Sequence, residues 1–323
     1  LETYEKIYMI KMYGWWGSSK PYFDWGQGLE KHGDSFEMLK GDLDPSLVAD
    51  ADCFYQTNMI KPKFFDKKNK TIRGDKFKFI KDSNKPFIVS ESSCFRQYGG
   101  YFRFGWNSYG WTDGNFNNDN VDNERWNKFQ ERTNIKFKDW NSPGDYILLM
   151  GQKEGDSALM PLFEQGKNFH TWVADTIIQI RKYTDRKIVF RPHPRTARRG
   201  VKFLESLLKK ENIPNVQITQ NLTTGGNQGG EGLDRDLNNA YCVVTFSSLS
   251  GIEAVINGIP VFALDGGSMV YPIAHKNLNQ IENIKYDIDI QDWKNKIAYT
   301  IWNKQDVQSG ECWAHLKPVY FKG

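Results

Sequence analysis

Residues 244–266, VTFSSLSGIEAVINGIPVFALDG, constrain the fold more than any other part of the chain. Residues 241–246 form an apolar, β-branched run of the kind found in a central parallel strand, covered on both faces. The run breaks into Ser247, Ser248 and Ser250 before a helix expected at about residues 251–257. Parallel neighbours cannot be joined by a hairpin, so this pattern calls for an α/β crossover architecture. Free N–H groups and the positive dipole end of the helix would face whatever lies beyond the strand, an arrangement that suits an anionic phosphate. The plainer alternative is that the serines only cap the helix.

A second strand, residues 187–190, ends in Arg191, Pro192, His193, Pro194 and Arg195. Ligands of parallel α/β sheets collect at the carboxyl ends of strands, so two ends carrying phosphate-compatible groups predict one pocket. His193 could alternatively serve only as a partner of a backbone carbonyl.

The run ILLMGQKEGDSAL at residues 147–159, then FRPHP, then the serine turn with GIEAVINGIPVFAL, resembles the nucleotide-binding half of capsule-polysaccharide glycosyltransferases, including the Kdo-transferase and bacterial sialyltransferase-like groups. The resemblance implies an α/β fold of the GT-B class: two Rossmann-like domains with parallel sheets facing a central cleft. It places the donor on the second domain and the acceptor on the first. His193 and the pair Ser247 and Ser248 would contact the donor phosphate beside the bond that breaks. Glu253 would accept hydrogen bonds from the nucleotide ribose, and Gln152 and Asp156 match the glutamine and aspartate that follow the first strand of this half. Arg191 and Arg195 are expected as further donor-phosphate contacts. The implied donor is a UDP- or CMP-linked nucleotide sugar, with no prosthetic group and no metal. Three Asp-x-Asp pairs, Asp42 with Asp44, Asp234 with Asp236 and Asp287 with Asp289, have the spacing by which another glycosyltransferase fold holds a divalent ion. The last pair sits in the alternating KYDIDIQ, which reads as a solvated strand.

The resemblance is thinner in the N-terminal half. In FIVSESSCFR, residues 87–96, Glu91 and Arg96 match a pattern of two acids and a glycine before an arginine, with Ser92 and Ser93 standing at the other two positions. Glu91 is therefore the implied general base, with Asp113 and Glu124 as alternatives. A plain ion pair between Glu91 and Arg96 is the competing explanation.

A chain of 323 residues suits two domains. The break NSPGD divides residues 1–143, expected to bind the acceptor, from 144–305, expected to bind the nucleotide sugar, with 306–323 packing back towards the first domain. Strands are expected near residues 6–12, 52–60 and 86–91, and a long aromatic, asparagine-rich loop over 94–140. Four dispersed cysteines fit a reducing compartment, and the absence of a long apolar run argues against membrane insertion, so the cytoplasm is expected, that of a bacterial host if the protein is viral. Leu1, in place of an initiator methionine, reads as a processed or shortened N-terminus.

Net charge is only +4, yet residues 61–81 concentrate nine Lys and Arg, among them Lys67, Lys68 and Lys70, against Asp66 and Asp75. Together with Arg96, Arg103, Trp106 and Trp111 in the aromatic region, these could hold phosphates and stack an extruded base. Double-stranded DNA with hydroxymethylated pyrimidines is thus the expected acceptor, in a plan similar to viral DNA glucosyltransferases. A capsule or lipopolysaccharide glycan explains the same residues. A sugar-nucleotide 2-epimerase and a non-catalytic nucleic-acid-binding protein are further alternatives.

Overall fold

The computed structural model describes residues 9–15, 25–40, 44–57, 59, 72–142, 144–222 and 231–322. Its contacts divide the chain into two units. The first comprises Leu1–Tyr109, Asp113–Phe129 and Lys294–Gly323, and the second comprises Gly110–Thr112 and Gln130–Trp293.

Unit 1 begins with β1 (Lys11–Trp15), β2 (Ser35–Leu39), β3 (Cys53–Thr57), β4 (Phe87–Ser92) and β5 (Tyr101–Trp106). Strands β2, β1, β3 and β4 run parallel in that spatial order, and β5 joins β4 antiparallel. The core is unusually aromatic: Trp25, Tyr55, Phe104 and Trp106 are all buried, with Trp25 edge-on to Phe104 at 5.3 Å. Large rings bury the most apolar area per residue, which lets a short sheet hold a core.

The stretch expected as one long loop is instead partly regular. Residues 101–106, YFRFGW, form β5 because aromatic residues favour a pleated, half-buried surface. Gly105 is needed there, since a Cβ would lie 2.6 Å from both the Phe116 ring and the Ser108 carbonyl. Glu124–Thr133 is a helix that buries Trp126 and Phe129 and leaves its charged residues outside.

Unit 2 contains β6 (Tyr146–Met150), β7 (Lys187–Arg191), β8 (Val216–Ile218), β9 (Ala240–Thr245) and β10 (Val261–Ala263). Every pairing is parallel, in the order β10-β9-β6-β7-β8. From β6 the chain steps outward through β7 and β8, then returns to the other side of β6 for β9 and β10. This is Rossmann order, with its switch point between β6 and β9. The helix Phe169–Arg181, capped by Asn168 accepting from the Thr171 N–H at 3.0 Å, buries Phe169, Trp172, Val173, Ile177 and Ile180 along one stripe.

Residues ahead of β6 belong to this unit through backbone bonds: the Lys138 N–H donates to Ile256 O at 3.0 Å and the Asn141 N–H to Gly258 O at 2.8 Å. Residues 285–290 are not a strand. Their alternation finds no pairing partner, and Asp289 instead accepts the Gln291 N–H at 2.8 Å, opening the helix Gln291–Ala298. The last strand, β11 (Ile301–Asn303), pairs antiparallel with β5 and closes the unit 1 sheet. All four cysteines are free and buried, and among the described residues no helix is long and apolar enough to cross a membrane.

Candidate functional site

Three adjacent strands of unit 2 deliver polar groups to one edge. Strand β6 leaves the sheet through Gly151, whose N–H donates to Arg191 O at 2.6 Å. A Cβ at Gly151 would lie 2.6 Å from that carbonyl and 2.7 Å from His193 N, so only glycine lets the ends of β6 and β7 approach this closely. The next residue, Gln152, is buried. Its Nε2 donates to Ser247 Oγ at 3.2 Å and its Oε1 accepts the Ser247 N–H at 3.3 Å. This two-point clasp joins the ends of β6 and β9 across the switch point.

His193 follows β7 in extended conformation and caps the short turn Pro194–Thr196, its Nδ1 accepting the Arg195 N–H at 3.2 Å. With Nδ1 committed as acceptor, the neutral ring carries its proton on Nε2, the form suited to donate to an anionic oxygen.

The serine turn differs from the expected cap. The N-cap of the helix Ser250–Ile256 is Leu249, in helical conformation and with no side-chain cap bond. Ser248 instead donates its N–H to Thr245 Oγ1 at 3.1 Å, and its hydroxyl lies 2.7 Å from that of Ser250. Glu253 is half-buried in the first turn of this helix.

Other sequence candidates have different structural tasks. Arg191 is only 4% exposed, and its Nη1 bonds to Asp236 Oδ2 at 2.5 Å, Asn221 O at 2.9 Å and Gly232 O at 3.2 Å. Its charge is neutralised inside the unit, which removes it from the phosphate contacts. Asp236 also accepts from Thr219 Oγ1 and Asn221 Nδ2, both at 2.7 Å, a network that pins the helix Glu231–Asn238 to the sheet. Asp156 caps the turn Ser157–Leu159 by accepting the Ala158 N–H at 3.3 Å, and Arg195 is exposed.

One cluster escaped sequence reasoning. Glu154, in the loop after β6, sits 3.1 Å from His170 Nε2 and 3.4 Å from Arg199 Nη1, and the His170 ring stacks on Phe203 at 4.3 Å. Four residues from three separated segments leave no local signature.

In unit 1, Glu91 lies on β4 opposite Arg103 of β5, half-buried, and its Oε1 accepts the Ser92 N–H at 2.8 Å. Arg103 is buried and donates to Ser92 O at 3.0 Å and Tyr109 O at 3.1 Å. Trp106 is fully buried, with its Nε1 donating to Leu316 O at 2.8 Å. These two hold the core and are not surface contacts for an acceptor. Arg96 is exposed, and Trp111 is partly exposed and belongs to unit 2. Lys67, Lys68 and Lys70 lie outside the described residues.

Taken together, the two Rossmann-like units make this an α/β chain of the GT-B class. Solved structures that share that fold include two transferases. The first is Thermosulfurimonas dismutans KpsC, beta Kdo 2,7 transferase, with a TM-score of 0.52 and 13% identity over 91% of this chain and 90% of that one. The second is Thermosulfurimonas dismutans KpsC, beta Kdo 2,4 transferase, with a TM-score of 0.52 and 11% identity over the same shares. At such identities the likeness is one of fold. Neither a family model nor a curated protein matches the sequence.

Proposed function

We propose that the protein is a glycosyltransferase that moves a sugar from a UDP- or CMP-linked donor to a hydroxyl of a capsule- or lipopolysaccharide-type glycan. The observation that carries this reading is the meeting of Gln152, His193 and Ser247 at the carboxyl ends of three adjacent parallel strands, across the switch point where such sheets bind nucleotides. In the transfer, an acceptor oxygen attacks the anomeric carbon while its bond to the donor phosphate breaks, with inversion. Negative charge grows on the departing phosphate, and preorganised donors aimed there lower the barrier. His193 Nε2–H, Ser247 and Ser248 are the donors we assign. Glu91 is the carboxylate we assign to take the acceptor proton, and Glu253 the ribose contact.

The glycan acceptor gains support from the shared fold of two Kdo transferases. The expected hydroxymethylated DNA loses support, because Arg103 and Trp106 are committed to the core. The test is nucleotide release from a panel of UDP- and CMP-sugars, with and without a capsule oligosaccharide primer or hydroxymethylated duplex DNA. Release stimulated by the oligosaccharide alone is expected. Stimulation by DNA, together with DNA binding that weakens steeply with salt, would overturn the glycan assignment.

A further inference from the structure

We infer that Trp111 is a donor-side residue, its indole forming a stacking face for the base of the bound nucleotide. The inference rests on the nucleotide-sugar reading above and adds a residue to it. Although Trp111 lies between β5 and the helix Glu124–Thr133 in sequence, Gly110–Thr112 groups with unit 2, away from its chain neighbours. Two consecutive backbone bonds hold it there: the Trp111 N–H donates to Gly267 O at 3.3 Å and the Thr112 N–H to Gly266 O at 3.2 Å. The receiving turn is itself fixed, since Asp265 Oδ1 accepts the Gly267 N–H at 2.9 Å. Gly266 is what admits the segment, because a Cβ there would come within 2.6 Å of Thr112 Oγ1.

This turn is the carboxyl-end exit of β10. The Leu264 N–H donates to Thr245 O at 3.0 Å, at the end of β9 where the serine turn starts. Neighbouring strands lie about 4.8 Å apart, so the exit of β10, whose turn anchors Trp111, lies one strand from the serine turn, on the side opposite His193. We place the base of a nucleotide whose phosphate meets Ser247 on this side of the serine turn.

The indole is also uncommitted. Among the described residues, Trp111 makes no ring contact, and its Nε1–H has no hydrogen-bond partner, while the side chain is partly exposed. The other tryptophans with described side chains are buried or, for Trp140, donate Nε1–H to Ile288 O at 3.0 Å. An aromatic plane held by its own backbone on a rigid turn stacks a base at small entropic cost.

Calorimetric titration of the full chain with CMP and with UDP tests this. For whichever nucleotide binds the wild type, Trp111→Ala should weaken binding roughly tenfold, and Trp111→Phe, which keeps a flat ring, should recover most of it. Gly266→Ala should also weaken binding, and adding Thr112→Ala, which removes the colliding atoms, should restore it. Unchanged affinity in Trp111→Ala alongside weakened affinity in His193→Ala would refute the role of Trp111 and leave the phosphate site standing. Failure of both nucleotides to bind the wild type would remove the site and this inference together.

Discussion

Unit 1 commits Arg103 and Trp106 to its interior, whereas unit 2 places Gln152, His193 and Ser247 at the carboxyl ends of its strands. In unit 1 the Arg103 guanidinium caps carbonyls of Ser92 and Tyr109, and Trp106 and Trp313 donate their indole N–H groups to Leu316 O and Asp34 Oδ2. In unit 2 the sheet buries Ile147, Leu149, Ile188 and Val244 beside Phe190 and Phe262, and Gln152, His193 and Ser247 stand where the strands end. The contrast teaches that residue type alone does not mark a binding surface. An arginine or tryptophan whose donors are already used inside is scaffold, even at a strand end, as Arg191 at the end of β7 shows.

The contrast breaks most readily at Trp106. Trp106→Ala should destabilise unit 1 by about 3–5 kcal/mol, the usual cost of emptying a buried aromatic site, while leaving the nucleotide affinity of the surviving folded protein unchanged. Urea denaturation with a parallel nucleotide titration checks both. A loss of affinity without a loss of stability would return Trp106 to the ligand surface.

Acid should act next most strongly, and on unit 1. His315 donates Nε2–H to Phe116 O at 2.9 Å and packs 4.7 Å from the Tyr299 ring and 5.3 Å from Trp302. Burial pushes its pKa down from 6.5 to about 4. Between those values the unfolded chain binds a proton that the folded chain refuses. The stabilisation is therefore complete above about pH 6.5 and is lost as pH falls towards 4, by about 3 kcal/mol at most. His315→Gln should flatten this part of the pH–stability curve; an unchanged acid limb would show that other groups set it.

At the edge of unit 2 the expected effect is on rate. His193→Ala should lower turnover about 100-fold, near 2.7 kcal/mol of barrier, as expected for losing one preorganised donor to developing charge, alongside about 1 kcal/mol of stability lost with the cap of its turn. Unchanged turnover in the folded variant would limit His193 to capping the turn Pro194–Thr196.

Sequence made unit 2 far more legible than unit 1, for a physical reason. Strands β6, β7 and β9 are buried on both faces and announce themselves as apolar runs, and the strand-end motifs follow at once. Strand β2, SFEML, is an edge strand with one buried residue, and it carries no comparable signal. Residues 101–106 read as loop because glycines and asparagines flank them, though pairing with β4 makes them a strand. The alternation at residues 285–290 misleads in the opposite direction, because period-two spacing forms no strand without a neighbour to pair with. Arg191 and His193, two residues apart in one motif, show the limit most sharply. Only the buried carboxylate of Asp236, remote in sequence, separates the internal ion pair from the strand-end histidine.

The proposed function requires that the edge formed by Gln152, His193 and Ser247 hold a nucleotide phosphate. A crystal structure of the full chain with CMP or UDP tests it most directly. The phosphate is expected within hydrogen-bond distance of His193 Nε2 and a hydroxyl of Ser247 or Ser248, with the ribose beside Glu253. A nucleotide bound elsewhere on the chain, with His193 and the serine turn untouched, would contradict it.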